Sequence, residues 1–403
     1  MRFSGPAVLR DRNFLIYSLG NTVSWLGTWA QRIGVGWMSW DLTHQTAWVG
    51  IISLAQLLPL IVFGPLFGAL LDRHEHRSYA LAVNIALAVL AVVLYALAAA
   101  HAMSIGVLCV LAVLLGVVNS AYQAVRLAMI NDIVVPAHLS DAIAVNSVLF
   151  NVTRAVGPAI AGYVISRDGI AAAFALNAVS FFAILAALLV VTLRPIPAKR
   201  SQQSLLAETR EGLKYVLDHP GIRQVMLLSG ITSILGRGVI ELLPAFADKV
   251  FHRGSVGLAD LTTAAGVGAI IGALVLSRGG STSLIPRLTR YSALLLGVFV
   301  VLFGLCSSFM LGLLVTGIFG FAIVLCSVGL QVLLQASIRD GFRGRVLGLW
   351  SAVNVAGPGL GGALIGTLAE PGGLKAVTVA TGALCCALVA WAMPRAGPLL
   401  IER

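Results

Sequence analysis

Twelve apolar runs, each about the length of a bilayer crossing, punctuate the chain, and no other feature restricts its fold as tightly. They cover 14–38, 48–71, 78–100, 104–126, 143–165, 171–193, 222–246, 258–277, 286–308, 311–335, 345–367 and 373–393. A helix needs about 20 apolar residues to cross the hydrocarbon core. The runs are continuously apolar rather than alternating, so they call for helices and not for the strands of a barrel. Composition agrees: 59% of the 403 residues are hydrophobic, 11% are charged, and the mean hydropathy is +0.96. A soluble domain is nearer half apolar and about a quarter charged. Secreted, disordered, collagen-like and cytosolic globular classes are excluded, and the expected fold is an all-α polytopic membrane protein.

The longest polar break, 194–221, falls midway. It divides the chain into an N-terminal six-helix half (1–193), a linker (194–221) and a C-terminal six-helix half (222–403). Within the linker Leu206, Leu213 and Leu217 share a helical face, which predicts a short interfacial helix. An internal repeat supports the division. Gly157-Pro158-Ala159-Ile160-Ala161-Gly162 and Gly357-Pro358-Gly359-Leu360-Gly361-Gly362 are offset by 200 residues, and Gly68-Ala69-Leu70 and Gly272-Ala273-Leu274 by 204. Two six-helix halves form a transporter architecture with the substrate site near mid-membrane.

The formal charge of +11 is explained by topology. With both termini inside, twenty Lys and Arg fall on the cytoplasmic side, Arg126 counted among them, and only Arg167, Lys249, Arg253 and Lys375 fall outside. That bias orients the chain and suits anionic membrane lipids, and it points away from nucleic acid. The segment MRFSGPAVLRDR leads into a long apolar run with no cleavage-site pattern, so the first helix is expected to be retained. Five cysteines (Cys109, Cys306, Cys326, Cys385 and Cys386) sit in apolar runs without metal-ligand spacing. There is no Gly-Lys dipeptide and therefore no ATP-binding loop. His74-Glu75-His76 lacks zinc-site spacing, and no nucleophile–base pair for an enzyme is visible.

Ionisable groups inside apolar spans carry the functional information, since each is costly unless paired or wetted. There are four: Arg32, Arg154, Arg237 and Glu241. Arg237 and Glu241 stand i,i+4 and can pair across one helical turn. The surplus of arginine favours an anionic or phenolic cargo, recognised by the guanidinium fork. Arg154 is either a cargo contact or a strut bonding Asn151, Ser147 or backbone carbonyls, and Arg32 either a cargo contact or a snorkelling cation. Glu241 is the candidate proton-coupling group, or else a permanently ionised partner of Arg237. Polar stripes mark the cavity-facing helices. They are Asn21, Trp25, Thr28 and Arg32 on helix 1, Asn119, Tyr122, Gln123 and Arg126 on helix 4, and Ser327, Gln331 and Gln335 on helix 10. The same residues could serve only as interhelical hydrogen bonds. Trp37, Trp40 and Trp48 read as an aromatic belt, while Trp25 and Trp29 lie deeper and either stack on an aromatic cargo or pack against lipid.

The segment from Gly68 to Arg77 resembles the G-x-x-x-D-R-x-G-R-[RK] loop of the major facilitator superfamily. Gly68, Asp72, Arg73 and Arg77 match, and Glu75 replaces a glycine. Trp37-x-x-x-Asp41-Leu42-Thr43, Pro59 with Gly64-Pro65, Leu139 through Asn151, Arg154-x-x-Gly157-Pro158 and Glu241 through Ala247 extend the resemblance. Together they are similar to the bacterial exporter branch of that superfamily that includes the enterobactin exporter. The resemblance implies a major facilitator fold in two pseudo-symmetric halves, efflux of a small organic molecule, and a proton gradient as the energy source with no cofactor. It makes Gly68, Asp72, Arg73 and Arg77 a cytoplasmic gate. Helix 4 lacks the early arginine of drug/proton antiporters, and helix 1 has Thr28 where many relatives of this branch carry an acid. The resulting expectation is a monomeric multi-pass exporter of the bacterial inner membrane. Arg32, Asn119, Gln123, Arg154, Gln331 and Trp25 are its cargo contacts, and Glu241 with Arg237 its coupling pair. The alternatives are a proton-linked importer, a lysolipid flippase, or a binding or sensor protein without transport.

Overall fold

A computed structural model of the chain describes residues 7–71, 74–194, 205–278, 285–338 and 342–393. Ten stretches among them are long and apolar enough to cross a bilayer. One of these, Pro136–Val190, has 55 residues, or about 80 Å of helix at 1.5 Å per residue, too long for one passage. It turns at Gly169, where φ is 80° and ψ is 174°, a conformation open to glycine alone. Two crossings result. With α1 (Arg12–Thr43), which polar residues such as Asn21, Gln31 and Arg32 make less apolar, the described residues make twelve crossings.

The others are α2 (Thr46–Leu71), α3 (His76–Ala99), α4 (Ile105–Ile133) and α5 (Leu139–Val190, in two limbs). After the linker helix α6 (Leu205–Asp218), the seventh crossing begins as α7 (Pro220–Ile231). Then follow α8 (Gly254–Arg278), α9 (Ile285–Leu305), α10 (Phe309–Ser337), α11 (Arg343–Gly372) and α12 (Leu374–Ala392). Helix ends carry local signals. Asp11 accepts from the backbone N–H of Asn13 and Phe14 at the start of α1, Ser104 caps α4, and Pro220 opens α7. Such side-chain acceptors take up the orphan donors of a first turn.

The chain forms two compact units, Met1–Met38 with Leu58–Ser201 and Ser39–Leu57 with Gln202–Arg403. In the first, α1 lies along the second limb of α5 on a stripe of glycines spaced by seven. Gly20 meets Ala187, Gly27 meets Ser180 and Asn177, and Gly34 meets Phe174. A Cβ on Gly27 would stand 2.2 Å from the Ser180 hydroxyl, so only glycine allows this approach. A buried amide pair, Asn177 donating to Gln31 at 2.8 Å, fixes the register. On another side α1 meets the first limb of α5, where a Cβ on Gly157 would lie 2.5 Å from that of Trp29. The second unit repeats this crossing, with Gly357 of α11 against Ser233 of the seventh crossing.

The first part of α2 belongs to the second unit. Gly50 meets the backbone of Gly362, and Gly366 meets that of Thr46. Trp40, expected at a membrane belt, is instead 3% exposed, and its indole donates to Asp248 at 2.9 Å. In α6, Tyr215 and Val216 are buried while Leu213 and Leu217 stay exposed. Tyr215 stacks on Phe342 at 4.3 Å, and Glu211 pairs with Arg345 at 2.7 Å. The side chain of Leu206 lies outside the described residues.

Candidate substrate-binding and coupling sites

In the first unit, one face of α1 meets α4 and the first limb of α5 in a polar–aromatic cluster. Ser18, Asn21 and Trp25 share that face by helical spacing, as do Tyr122 and Arg126 on α4. The Trp25 indole donates to the Tyr122 hydroxyl at 2.7 Å, and Tyr122 donates to Asn21 Oδ1 at 3.2 Å. Trp25 packs edge-to-face on Phe150, with centroids 5.3 Å apart and planes at 89°. The Arg126 guanidinium carbon sits 5.6 Å from the Trp25 ring centre and 5.4 Å from that of Phe150. Tyr17 donates to the Arg126 carbonyl at 3.4 Å.

Arg126 was expected at the cytoplasmic end of helix 4, with the topological charges. The structure corrects this. The helix continues to Ile133, and Arg126 is a half-buried member of an aromatic cluster. The signal was present in the apolar residues that follow it, Leu127 through Ile130, which lengthen the span. Asp132, only 4% exposed and 2.5 Å from His76, was likewise missed because it lies past the end assigned to the run.

Among the expected cargo contacts, Trp25 is part of this cluster. Arg32 is exposed and lies 5.6 Å over the Trp29 ring. Asn119 donates to the Leu115 carbonyl of its own helix, Gln123 is exposed, and Arg154 and Gln331 are half-buried. The side chain of Asn151, one expected partner of Arg154, lies outside the described residues. So do Asp72 and Arg73 of the expected gate. Gly68 is half-buried with open space where a Cβ would be, and Arg77 donates to the Val191 carbonyl, tying the start of α3 to the end of α5.

The second unit holds Arg237 and Glu241. The seventh crossing departs from α geometry here, with a π turn over Thr232–Gly236, a 3-10 turn over Arg237–Leu242 and a second π turn over Phe246–Val250. A 3-10 turn superposes residues three apart rather than four. The described hydrogen bonds take the two residues to different helices. Arg237 donates to the Asn354 carbonyl and Oδ1 on α11 at 3.2 and 3.3 Å. Glu241 accepts from the Ser53 hydroxyl of α2 at 2.6 Å. Further along, Glu370 of α11 accepts from the Thr46 hydroxyl at 2.8 Å and the Ala47 N–H at 3.2 Å, capping α2 from another helix. A cleft lined by Val239, Ile240, Leu243, Phe299, Phe303 and Phe319 is almost wholly apolar, and the hydroxyl of its Thr316 is taken up by Gly312.

These features sit on a scaffold with known relatives. The model of the transmembrane secretion effector family of the major facilitator superfamily matches residues 3–396. The chain belongs to that family. It is 24% identical over 343 residues to the staphyloferrin A transporter of Staphylococcus aureus, covering 80% of this chain and 81% of that one. It is 30% identical over 234 residues to the enterobactin exporter EntS of Escherichia coli, covering 57% of this chain and 55% of the exporter. The solved structure of the nucleoside transporter NupG superposes with a TM-score of 0.73 at 13% identity, over 94% of this chain and 98% of that one. That likeness shows the fold. The protein is thus a multi-pass major facilitator transporter and not an enzyme.

Proposed function

We propose that this carrier exports a small organic anion, siderophore- or drug-like, from the cytoplasm across a bacterial inner membrane in exchange for protons. The observation that carries the reading is Glu241. It is a carboxylate inside the seventh crossing, set in irregular backbone and accepting a hydrogen bond from the Ser53 hydroxyl. An acid within an apolar span is expensive and marks an ion or proton pathway. Irregular backbone at membrane depth persists where it is buried in protein or lines a cavity. Protonation of Glu241 removes the charge that the Ser53 hydroxyl bonds, which gives alternating access a proton-dependent contact. The relatives that move staphyloferrin A and enterobactin support an anionic, chelator-like cargo. Arg32, Asn119, Gln123, Arg154, Gln331 and Trp25 remain proposed cargo contacts, Arg237 the proposed partner in coupling, and Gly68, Asp72, Arg73 and Arg77 the proposed cytoplasmic gate. With Arg126 set aside, the nineteen-to-four bias of basic residues supports cytoplasmic termini.

Everted membrane vesicles with an acidic interior test this reading directly. Radiolabelled phthalate, citrate and a tricatecholate are offered outside, and accumulation of at least one should collapse when the pH gradient is dissipated. Glu241→Gln should lower gradient-driven accumulation at least tenfold while equilibrium binding persists. Accumulation unaffected by the gradient or by Glu241→Gln overturns proton coupling, and cargo movement in the opposite sense overturns export.

A further inference from the structure

We propose that the cluster of Asn21, Trp25, Tyr122, Arg126 and Phe150 is a binding site for the carboxylate-bearing aromatic end of an organic anion. The proposal deepens the export reading and rests on it for the cargo being a small anion. It begins with the hydrogen bonds inside the cluster. The Trp25 indole is used by Tyr122, and the Tyr122 hydroxyl by Asn21 Oδ1. The Tyr17 hydroxyl is used by the Arg126 carbonyl. Three buried groups then have no partner among the described residues: Asn21 Nδ2, the Ser18 hydroxyl and Arg126 Nε. Asn21 is 1% exposed and Ser18 4%. Buried polar groups are almost always satisfied, and these three can all donate. Their complement is rich in acceptors.

Charge narrows the class. Among the described residues Arg126 forms no ion pair, and its charge is offset by the faces of two perpendicular rings. Cation–π contacts hold a guanidinium in a dry site. The Nε, which has no partner among the described residues, can then meet a carboxylate as one arm of the planar N–H fork. The rings narrow it further. Tyr122, Arg126 and Phe150 are half-buried while Trp25 and Asn21 are buried, so the aromatic and guanidinium surfaces are the approachable side of the cluster. A planar aromatic acid can stack there while its carboxylate reaches the unused donors. An aliphatic polyacid gains only the charge contact.

The test is equilibrium binding to the purified full-length chain with no gradient, using radiolabelled phthalate in a scintillation proximity assay. Neutral phthalamide and aliphatic citrate serve as competitors. Phthalate should bind at least tenfold more tightly than either. Arg126→Lys keeps the charge but loses the fork and should weaken phthalate about tenfold with an unchanged melting temperature. Arg126→Gln should abolish the preference of phthalate over phthalamide, and Phe150→Leu should weaken both aromatic ligands while sparing that preference. Equal binding of phthalate and phthalamide, or a preference that survives in a folded Arg126→Lys or Arg126→Gln protein, overturns the site. Citrate binding as tightly as phthalate overturns its aromatic character. The export reading fails separately: a chain that binds phthalate through Arg126 but accumulates no anion in vesicles refutes export and leaves the site standing.

Discussion

At the scale of single residues, the polar groups buried inside the crossings divide into those whose needs are met within the protein and those whose are not. Asn177 belongs to the first kind. Its amide donates to Gln31, and its oxygens accept from Ser180. Asn177→Ala leaves Gln31 Oε1 buried without that donor, at a cost of about 1–3 kcal/mol. The melting temperature of the purified protein should fall, while cargo affinity stays within a factor of two. An unchanged melting temperature would remove Asn177 from the account of stability. Asn21 and Arg126 belong to the second kind among the described residues, which is why they are the proposed ligand contacts. The stripe Asn119, Tyr122, Gln123, Arg126 was readable in the sequence, but its order of importance was not. Spacing places four side chains near one face. Only the packed neighbours decide that Arg126 turns to Trp25 and Phe150, Asn119 to its own helix, and Gln123 outward.

At the scale of elements, helix pairs are set by small residues. Without water to drive helices together, close packing and interhelical hydrogen bonds do the work, and the glycines record where they act. Gly27→Ala places a methyl group 2.2 Å from the Ser180 hydroxyl. The strain of overpacking should cost about 1–3 kcal/mol, seen as a lower yield of folded protein and a lower melting temperature. Ser180→Gly in the same chain should restore part of the loss, because it removes the two nearest atoms in conflict and leaves Asn177 Oδ1 at 2.8 Å. Failure of the second change to rescue the first would mean that the α1–α5 seam is not what Gly27 serves. The Gly-Pro repeat was legible in the sequence, and both copies serve the same kind of crossing. The π and 3-10 turns of the seventh crossing were only partly legible. Gly236, Gly238 and Pro244 weaken α geometry there without saying which turn replaces it, and contacts with α11, such as the Ser233 hydroxyl on the Val353 carbonyl, hold the turns that form.

At the scale of the whole molecule, apolar runs marked the crossings among the described residues, because a backbone in lipid must satisfy its hydrogen bonds within each helix, although polar residues keep α1 from standing out by hydropathy. Membership of the compact units was hidden. Residues 39–57 contact the second unit through Gly50, Ser53 and Thr46, and nothing in a hydropathy pattern states which bundle a helix joins. Orientation is a whole-molecule property and has its own check. Cysteines placed at Ala102, between α3 and α4, and at His138, between α4 and α5, in a cysteine-free background should react oppositely with an impermeant maleimide. In intact cells Ala102→Cys should label and His138→Cys should not, and the reverse pattern would invert the topology.

The glycine stripe of α1 has a consequence for how such carriers diverge. Gly20, Gly27 and Gly34 repeat every seven residues, so they stay on one side of the helix. Ser18, Asn21 and Trp25 fall roughly 120–180° around it. The glycine seam with the second limb of α5 takes one side of α1, and the proposed ligand contacts take the other, where Trp29 also meets Gly157. Substitutions on the ligand side, or on the facing turns of α4, can therefore accumulate without disturbing the seam. A lineage can exchange one cargo for another while its skeleton stays still.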